Sequence, residues 1–260
     1  MSGLLYGIRL QFQMDIRSKS MLVTCYLVPL LFFAVMGGIF TSLMPEAKAT
    51  LTASMTVMGV SMGALIGVPP SLTELYGTEV KKLYRAGGAP ISFGLLSLTV
   101  STFLHLLLMS GIILAAAPYA FEAEWPDDLG VYLIKLAFFL IVSISAACVL
   151  GLAVKNQAKL TMLSQVVFLP SILLSGIMFP ADLLPEGLEK LGKLFPAAWG
   201  YRMLTDKELC ADHILPLFII FVAAVAACIV LLKKKVGFTI VALFLLATFI
   251  FLALVLAGVL

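Results

Sequence analysis

The sequence predicts an all-α integral membrane protein: a six-span helical bundle followed by an extra C-terminal seventh span. Three observations carry that expectation. Hydrophobic residues make up 62% of the chain and charged residues only 12%, where a soluble domain carries about 45–50% and about 25%. Too little charge remains to coat a water-facing surface. The apolar residues fall in long blocks nearly free of charge and of the roughly 20 residues a helix needs to cross a bilayer, and none alternates as the strands of a β-barrel would. The lysines and arginines collect in alternate intervals between those blocks, as they do in cytoplasmic loops.

Taken in order, the first element is an N-terminal interfacial helix within residues 1–20. Between Leu4 and Ser18 it places Leu5, Ile8, Phe12 and Ile16 on one face and Arg9, Gln13 and Arg17 on an adjacent one, the pattern of a helix lying at the inner leaflet. A weakly ordered tail is the plainer alternative. Polar and charged residues interrupt this stretch, so no cleavable signal peptide is expected and insertion begins with the first span. The spanning windows then follow: Met21 to Ser42, Thr50 to Pro69, Ile91 to Pro118, Leu129 to Val154, Leu160 to Met178, Ile214 to Leu232 and Val236 to Leu260. Residues 21–235 form the six-span domain and 236–260 an additional helix.

Orientation follows from charge. With the N-terminus inside, Arg9, Arg17, Lys19, Lys81, Lys82, Arg85, Lys155, Lys159, Lys233, Lys234 and Lys235 are cytoplasmic, against Lys48, Lys190, Lys193, Arg202 and Lys207 outside. The loop with Glu122, Glu124, Asp127 and Asp128 carries no basic residue and lies outside. A C-terminal seventh span leaves the C-terminus outside.

Composition also excludes several functions. The net charge of +3 is small and no basic tract points to nucleic acid. Cys25, Cys148 and Cys228 lie inside apolar runs, where cysteine serves as a small packing residue. Cys210 lies near a loop, and no CxxC or Cys/His pair at zinc spacing occurs. The spans offer no Ser/His/Asp set, HExxH or paired carboxylates, which argues against a membrane-embedded enzyme.

Within the spans, Gly59, Gly63 and Gly67 form G-x-x-x-G-x-x-x-G, which lets helix backbones approach closely, within one subunit or between two. His105 lies near the middle of the third span, where an ionisable side chain is costly; it is either a neutral histidine bonded to a neighbouring helix or a substrate or proton site. Lys135 can snorkel to the outer interface. Gln165 in the fifth span is a candidate pathway residue.

Two loops carry more pattern than a connection needs. Ser71 to Ser92 reads as a short helix over about 72–86, opened by Thr73 and Glu74 and closed by Gly87, Gly88 and Pro90. It mixes Glu74, Glu79, Lys81, Lys82 and Arg85 with Leu75, Val80, Leu83 and Tyr84. Docking into another protein's cleft or a solvated inside-positive loop would both suit it. Ser175 to Asp212 repeats Leu184, Leu188, Leu191 and Leu194 or Phe195, bracketed by Pro180, Pro185 and Pro196, as short amphipathic helices over about 180–208 that lie at or dip into the outer interface would.

Both segments resemble the permease subunits of ABC-type exporters of the second class, which carry drugs, lipids, peptides and polysaccharides. The resemblance covers roughly residues 1–235. The loop pattern E-x-G-T-x-K-x-L-x-x-x-P-[IV]-S is matched by Glu74, Gly77, Thr78, Lys81, Leu83, Pro90, Ile91 and Ser92. The later pattern L-S-G-[IF]-x-F-P, then L-P and P-x-x-[YW], is matched by Leu174, Ser175, Gly176, Ile177, Phe179, Pro180, Leu184, Pro185, Pro196 and Trp199. Members commonly have six spans and a short basic tail, so the helix after Lys235 departs from the pattern.

The resemblance implies a working unit of two permease copies and two nucleotide-binding subunits in a prokaryotic cell membrane. The chain has no G-x-x-x-x-G-K-[ST] phosphate loop, so ATP and Mg would bind the partner ATPase. The helix at 72–86 is then the coupling helix, with Glu74, Glu79, Lys81, Lys82 and Arg85 at the ATPase contact. No Asp or Glu falls deep in a span, which favours a drug, peptide or lipid-linked cargo over ion-coupled transport. The competing reading is an ion-coupled secondary transporter without an ATPase, which would show inverted repeats that the halves 20–118 and 129–235 lack.

Overall fold

The computed structural model describes residues 2–76, 92–178, 184–208 and 211–233. Ser18 separates the first two helices, α1 (Ser2–Arg17) and α2 (Lys19–Leu43). It leaves the helical region at φ −77°, ψ 111°, and its side chain caps α2 by accepting from the Met21 N–H. Helix α3 (Leu51–Leu75) follows a short turn at Pro45–Ala49.

Both α2 and α3 contain one wide π-helical turn, Val23–Leu27 and Gly63–Gly67. Each ends two residues before proline, Pro29 in the first and Pro69–Pro70 in the second. A proline inside a helix clashes with the carbonyl four residues back, and those carbonyls, of residues 25, 65 and 66, belong to the widened turns. The turns let both helices run on. Sequence spacing stopped the second span at Pro69, whereas α3 continues to Leu75.

Helix α4 (Ser92–Phe121) is 30 residues long, about 45 Å at the usual rise. The chain reverses at Glu122, whose φ of 53° is the single positive value at a non-glycine residue described. An ion pair to Lys48 at 2.7 Å holds that turn. Asp128 then caps α5 (Leu129–Ala153), accepting from the amides of Gly130 and Val131.

Helix α6 (Gln157–Leu173), capped by Asn156, is 17 residues long, about 26 Å. It ends earlier than the expected window, which ran to Met178. The Ser175 hydroxyl donates to the Ile172 carbonyl and accepts from the Ile177 amide, and Gly176 takes φ 89°. Only glycine adopts that conformation readily, so the L-S-G segment turns the chain. Two short helices, α7 (Glu186–Gly192) and α8 (Pro196–Thr205), precede α9 (Ala211–Lys233).

Five of these helices are long and apolar enough to cross a membrane: α2, α3, α4, α5 and α9. The shorter α6 is not among them, and the apolar stretch 236–260 lies outside the described residues. The helices surround α3, whose most apolar window is 89% buried. The outer helices show apolar stripes at helical spacing, such as Leu27, Leu31, Val35 and Ile39 on α2 and Leu104, Leu108 and Ile112 on α4. An outward face of that kind requires hydrocarbon as solvent.

Candidate coupling and pathway site

The end of the bundle next to residues 77–91 is built by close approach at two glycines. A Cβ on Gly151 of α5 would lie 2.9 Å from the Leu72 Cβ and 3.0 Å from the Pro69 Cα, so the last turns of α3 fit against bare backbone. A Cβ on Gly94 of α4 would lie 3.0 Å from the Leu75 methyls. The two helix ends that flank residues 77–91 therefore touch each other, and α3 is wedged against α5 immediately beside them.

Of the expected ATPase contacts, Glu74 is exposed on the final turn of α3. Glu79, Lys81, Lys82 and Arg85 lie outside the described residues. Thr73 and Glu74 do not open a new helix as their spacing suggested. Thr73 donates its hydroxyl proton to the Pro69 carbonyl at 3.0 Å, a bond internal to α3.

The three glycines of α3 face neighbours in the same chain. A Cβ on Gly59 would press on Met109 of α4 and lie 3.3 Å from Pro29 of α2. One on Gly63 would collide with Leu106 and stand 3.5 Å from the Cys25 Sγ. One on Gly67 would lie 3.6 Å from that sulfur. The two π-helical turns thus abut, with the buried Cys25 filling the space glycine leaves.

His105 is enclosed, at 1% exposure. Its Nδ1 is bonded to the Tyr26 hydroxyl at 2.7 Å, and its ring stacks on Phe12 with centroids 4.4 Å apart. Gln165 is exposed on α6, next to the exposed Met162, Val166 and Leu169. The structure does not bring His105 and Gln165 together on one surface.

The opposite end is closed by α8. Ala197, Ala198, Gly200, Met203 and Leu204 are buried, and a Cβ on Gly200 would enter the Phe139 ring. Phe139 is ten residues from the start of α5, about 15 Å along it, so α8 dips well into the bundle. Trp199 fixes its approach, its indole N–H donating to the Lys193 carbonyl at 2.7 Å, with the Arg202 guanidinium 5.5 Å over the ring. Glu189 takes ion pairs from Lys193 and Arg202, and these hold its carboxyl below the usual carboxylate range. On α7, Leu188 and Leu191 stay exposed, as does Leu194 just beyond it.

Lys135 holds the far end of α8. The sequence suggested that it snorkels outward, but it is 2% exposed and donates to the carbonyls of Asp206 (2.8 Å) and Glu208 (2.9 Å). These carbonyls close the C-terminus of α8, where a cation is favourable. His213 of α9 reaches the Asp206 carboxylate at 2.7 Å.

A cavity of about 360 Å³ opens beside this plug, with Phe40, Met44, Ile177 and Tyr201 giving it apolar walls and Glu46 and Arg202 of opposite charge. Among the described residues no group of three or more His, Cys, Asp or Glu could hold a metal ion.

Sequence reasoning missed Asp15 and the true surroundings of Lys135. At the N-terminal helix it grouped Leu5 and Ile16 with Ile8 and Phe12. The structure leaves Leu5 and Ile16 exposed and turns Gly7, Ile8, Gln11, Phe12 and Asp15 toward the bundle. The spacing 7, 8, 11, 12, 15 is a regular helical stripe, and its small and polar members disguised it.

No curated protein and no solved structure matches the chain. The family model described as ABC-2 type transporter matches residues 4–209, from α1 through the plug helix to the approach of α9. With most of the chain inside that match and its helices apolar on their outer faces, this protein belongs to the ABC-2 type transporter family, as a membrane transport subunit.

Proposed function

We propose that the chain is the permease of an ATP-driven exporter, working as a pair of copies with a separate ATPase that binds ATP and Mg. The observation that carries this reading is the contact of Leu75 with Gly94 at the root of residues 77–91. The ends of α3 and α4 that flank these residues touch each other, so a displacement of one reaches the other, which is what a coupling element requires. Glu74, Glu79, Lys81, Lys82 and Arg85 are the proposed ATPase contacts. The wedge of Leu72 and Pro69 on Gly151 extends the same motion to α5.

Gln165 supports a second copy. An amide on an outward apolar face would meet hydrocarbon in an isolated subunit, at a cost of about 1–3 kcal/mol on protein scales. A facing copy of α6, or a polar pathway between the copies, relieves it. The cavity by the plug, apolar with a charge of each sign, suits an amphipathic cargo. The enclosed His105 is assigned a different role below.

The test is reversal of charge at Lys81, Lys82 and Arg85 together. The expected result is loss of the ATPase on purification, or hydrolysis that no longer responds to the permease. An ATPase that still binds and still couples would remove the assignment.

A further inference from the structure

Helix α1 carries a carboxylate into the bundle. Asp15 is 7% exposed, and its Oδ2 accepts from the Ser101 hydroxyl at 2.5 Å while its Oδ1 accepts from the Gln11 amide at 2.9 Å. Ser101 lies on α4 exactly one i,i+4 step before His105, so both face the same side of that helix. On α1, Phe12 lies three residues before Asp15 and stacks flat on the His105 ring, the planes 9° apart. The histidine Nδ1 is satisfied by Tyr26 of α2. Its Nε2 is buried and has no partner among the described residues.

Two ionisable groups thus share one enclosure made by α1, α2 and α4. The other groups facing it are Gln11 from α1, Ser101 from α4, and Tyr26 and the Cys25 thiol from α2. Arg9, Arg17 and Lys19 are exposed, and among the described residues no Lys or Arg pairs with Asp15. Burial pushes the Asp15 carboxyl up from its ordinary value, opposed by its bonds to Ser101 and Gln11 and by the charge of His105.

The enclosure is electrically neutral with one proton added to the carboxylate and neutral imidazole. Both possible seats, a carboxylic acid beside neutral imidazole or a carboxylate beside imidazolium, satisfy that condition. Without the proton a bare carboxylate is left in a poorly solvated site, which is unfavourable. We propose that Asp15 and His105 jointly form a one-proton binding site at the joint of α1 and α4, and that α1 stays docked on α4 while the proton is held.

The sign follows from linkage. When α1 lifts off, Asp15 meets water and releases the proton at a lower pH than when docked. Docking is therefore strongest in acid, declines by about tenfold per pH unit for one proton once pH passes the undocked value, and levels off above the docked site's own value. Nothing in this depends on the exporter reading, because the helix contact itself is what is measured.

The experiment is amide exchange in the full chain, reconstituted in lipid nanodiscs, between about pH 5 and about pH 9. Peptides covering α1 are corrected for intrinsic exchange and compared with a peptide from the outer half of α4 in the same sample. In the wild type the protection of α1 is expected to fall with rising pH at that slope. Asp15→Asn keeps an acceptor for Ser101 without a titrating charge, and its protection is expected to be independent of pH. His105→Phe keeps the stack on Phe12 but leaves one seat for the proton, so the fall is expected at lower pH. A wild-type α1 whose protection is constant, an Asp15→Asn variant that follows the wild-type curve, or an unmoved curve in His105→Phe would each overturn the site.

Discussion

A lysine ammonium has three protons to place, and Lys135 places two of them on the backbone carbonyls of Asp206 and Glu208. It does so from a position almost closed to solvent, so its value lies in what it holds. Replacing it by methionine keeps the stem and strips two carbonyls of a charged donor, a loss of about 1–3 kcal/mol. The expected outcome is local: the amides after α8 exchange about tenfold or more faster, while α3 and α5 exchange as before, both read by hydrogen exchange in nanodiscs. Uniform loosening of all helices would mean that Lys135 supports the bundle and not the plug. That a lysine lies inside a span was legible in the sequence, but its partners were not, because those are carbonyls that any residue at 206 and 208 would supply. Asp15 was hidden for a similar reason. Its enclosure is created by a helix more than 80 residues later, and local spacing makes an Asp beside Arg17 read as part of a wet face.

At the scale of elements, glycine decides how close α3 and α5 come. Gly151→Ala would set a methyl against the Pro69 Cα, which cannot rotate away, as well as against Leu72. Overpacking of this kind costs about 1–3 kcal/mol. A lower thermal midpoint in detergent is expected, together with weaker coupling to the proposed ATPase, and Leu72→Ala on that background should restore part of both by removing the flexible share of the clash. Failure of Leu72→Ala to restore either would place the strain elsewhere. The existence of the long helices was legible in the sequence, since runs of apolar residues signal span-length helices directly. Their ends were less so. Two prolines ordinarily end a helix, but the wide turn at Gly63–Gly67 accommodates Pro69 and Pro70, and α3 runs on through the Thr73–Glu74 pair that resembled a fresh start. The L-S-G segment was legible as a motif, yet that Gly176 turns the chain and shortens α6 followed only from its backbone.

Across the whole molecule, the least apolar of the long helices is the most enclosed. Helix α3 has the lowest mean hydropathy of the five long apolar helices, 1.7, against 2.0 to 3.1 for the others, and it is the one the rest surround. Thr52, Ser54, Thr56 and Ser61 are all buried along it, where Tyr132 of α5 donates to the Thr56 hydroxyl. The alternation of basic loops and apolar blocks made the membrane assignment plain, but a hydropathy plot does not say which helix sits at the centre. That ranking bears on how the protein is made. A ribosome releases α3 before α4 and α5 exist, so at that moment only α2 can pack on it and its hydroxyls lack the neighbours that later enclose them. Chains ended just after α3 should leave it in the bilayer incompletely, as scored by glycosylation tags on either side, and chains extended through α5 should leave it there almost fully. Equal scores from both lengths would mean that α3 partitions unaided. The expected consequence for biogenesis is a waiting step, in which the future centre of this subunit lingers at the translocon until its neighbours arrive.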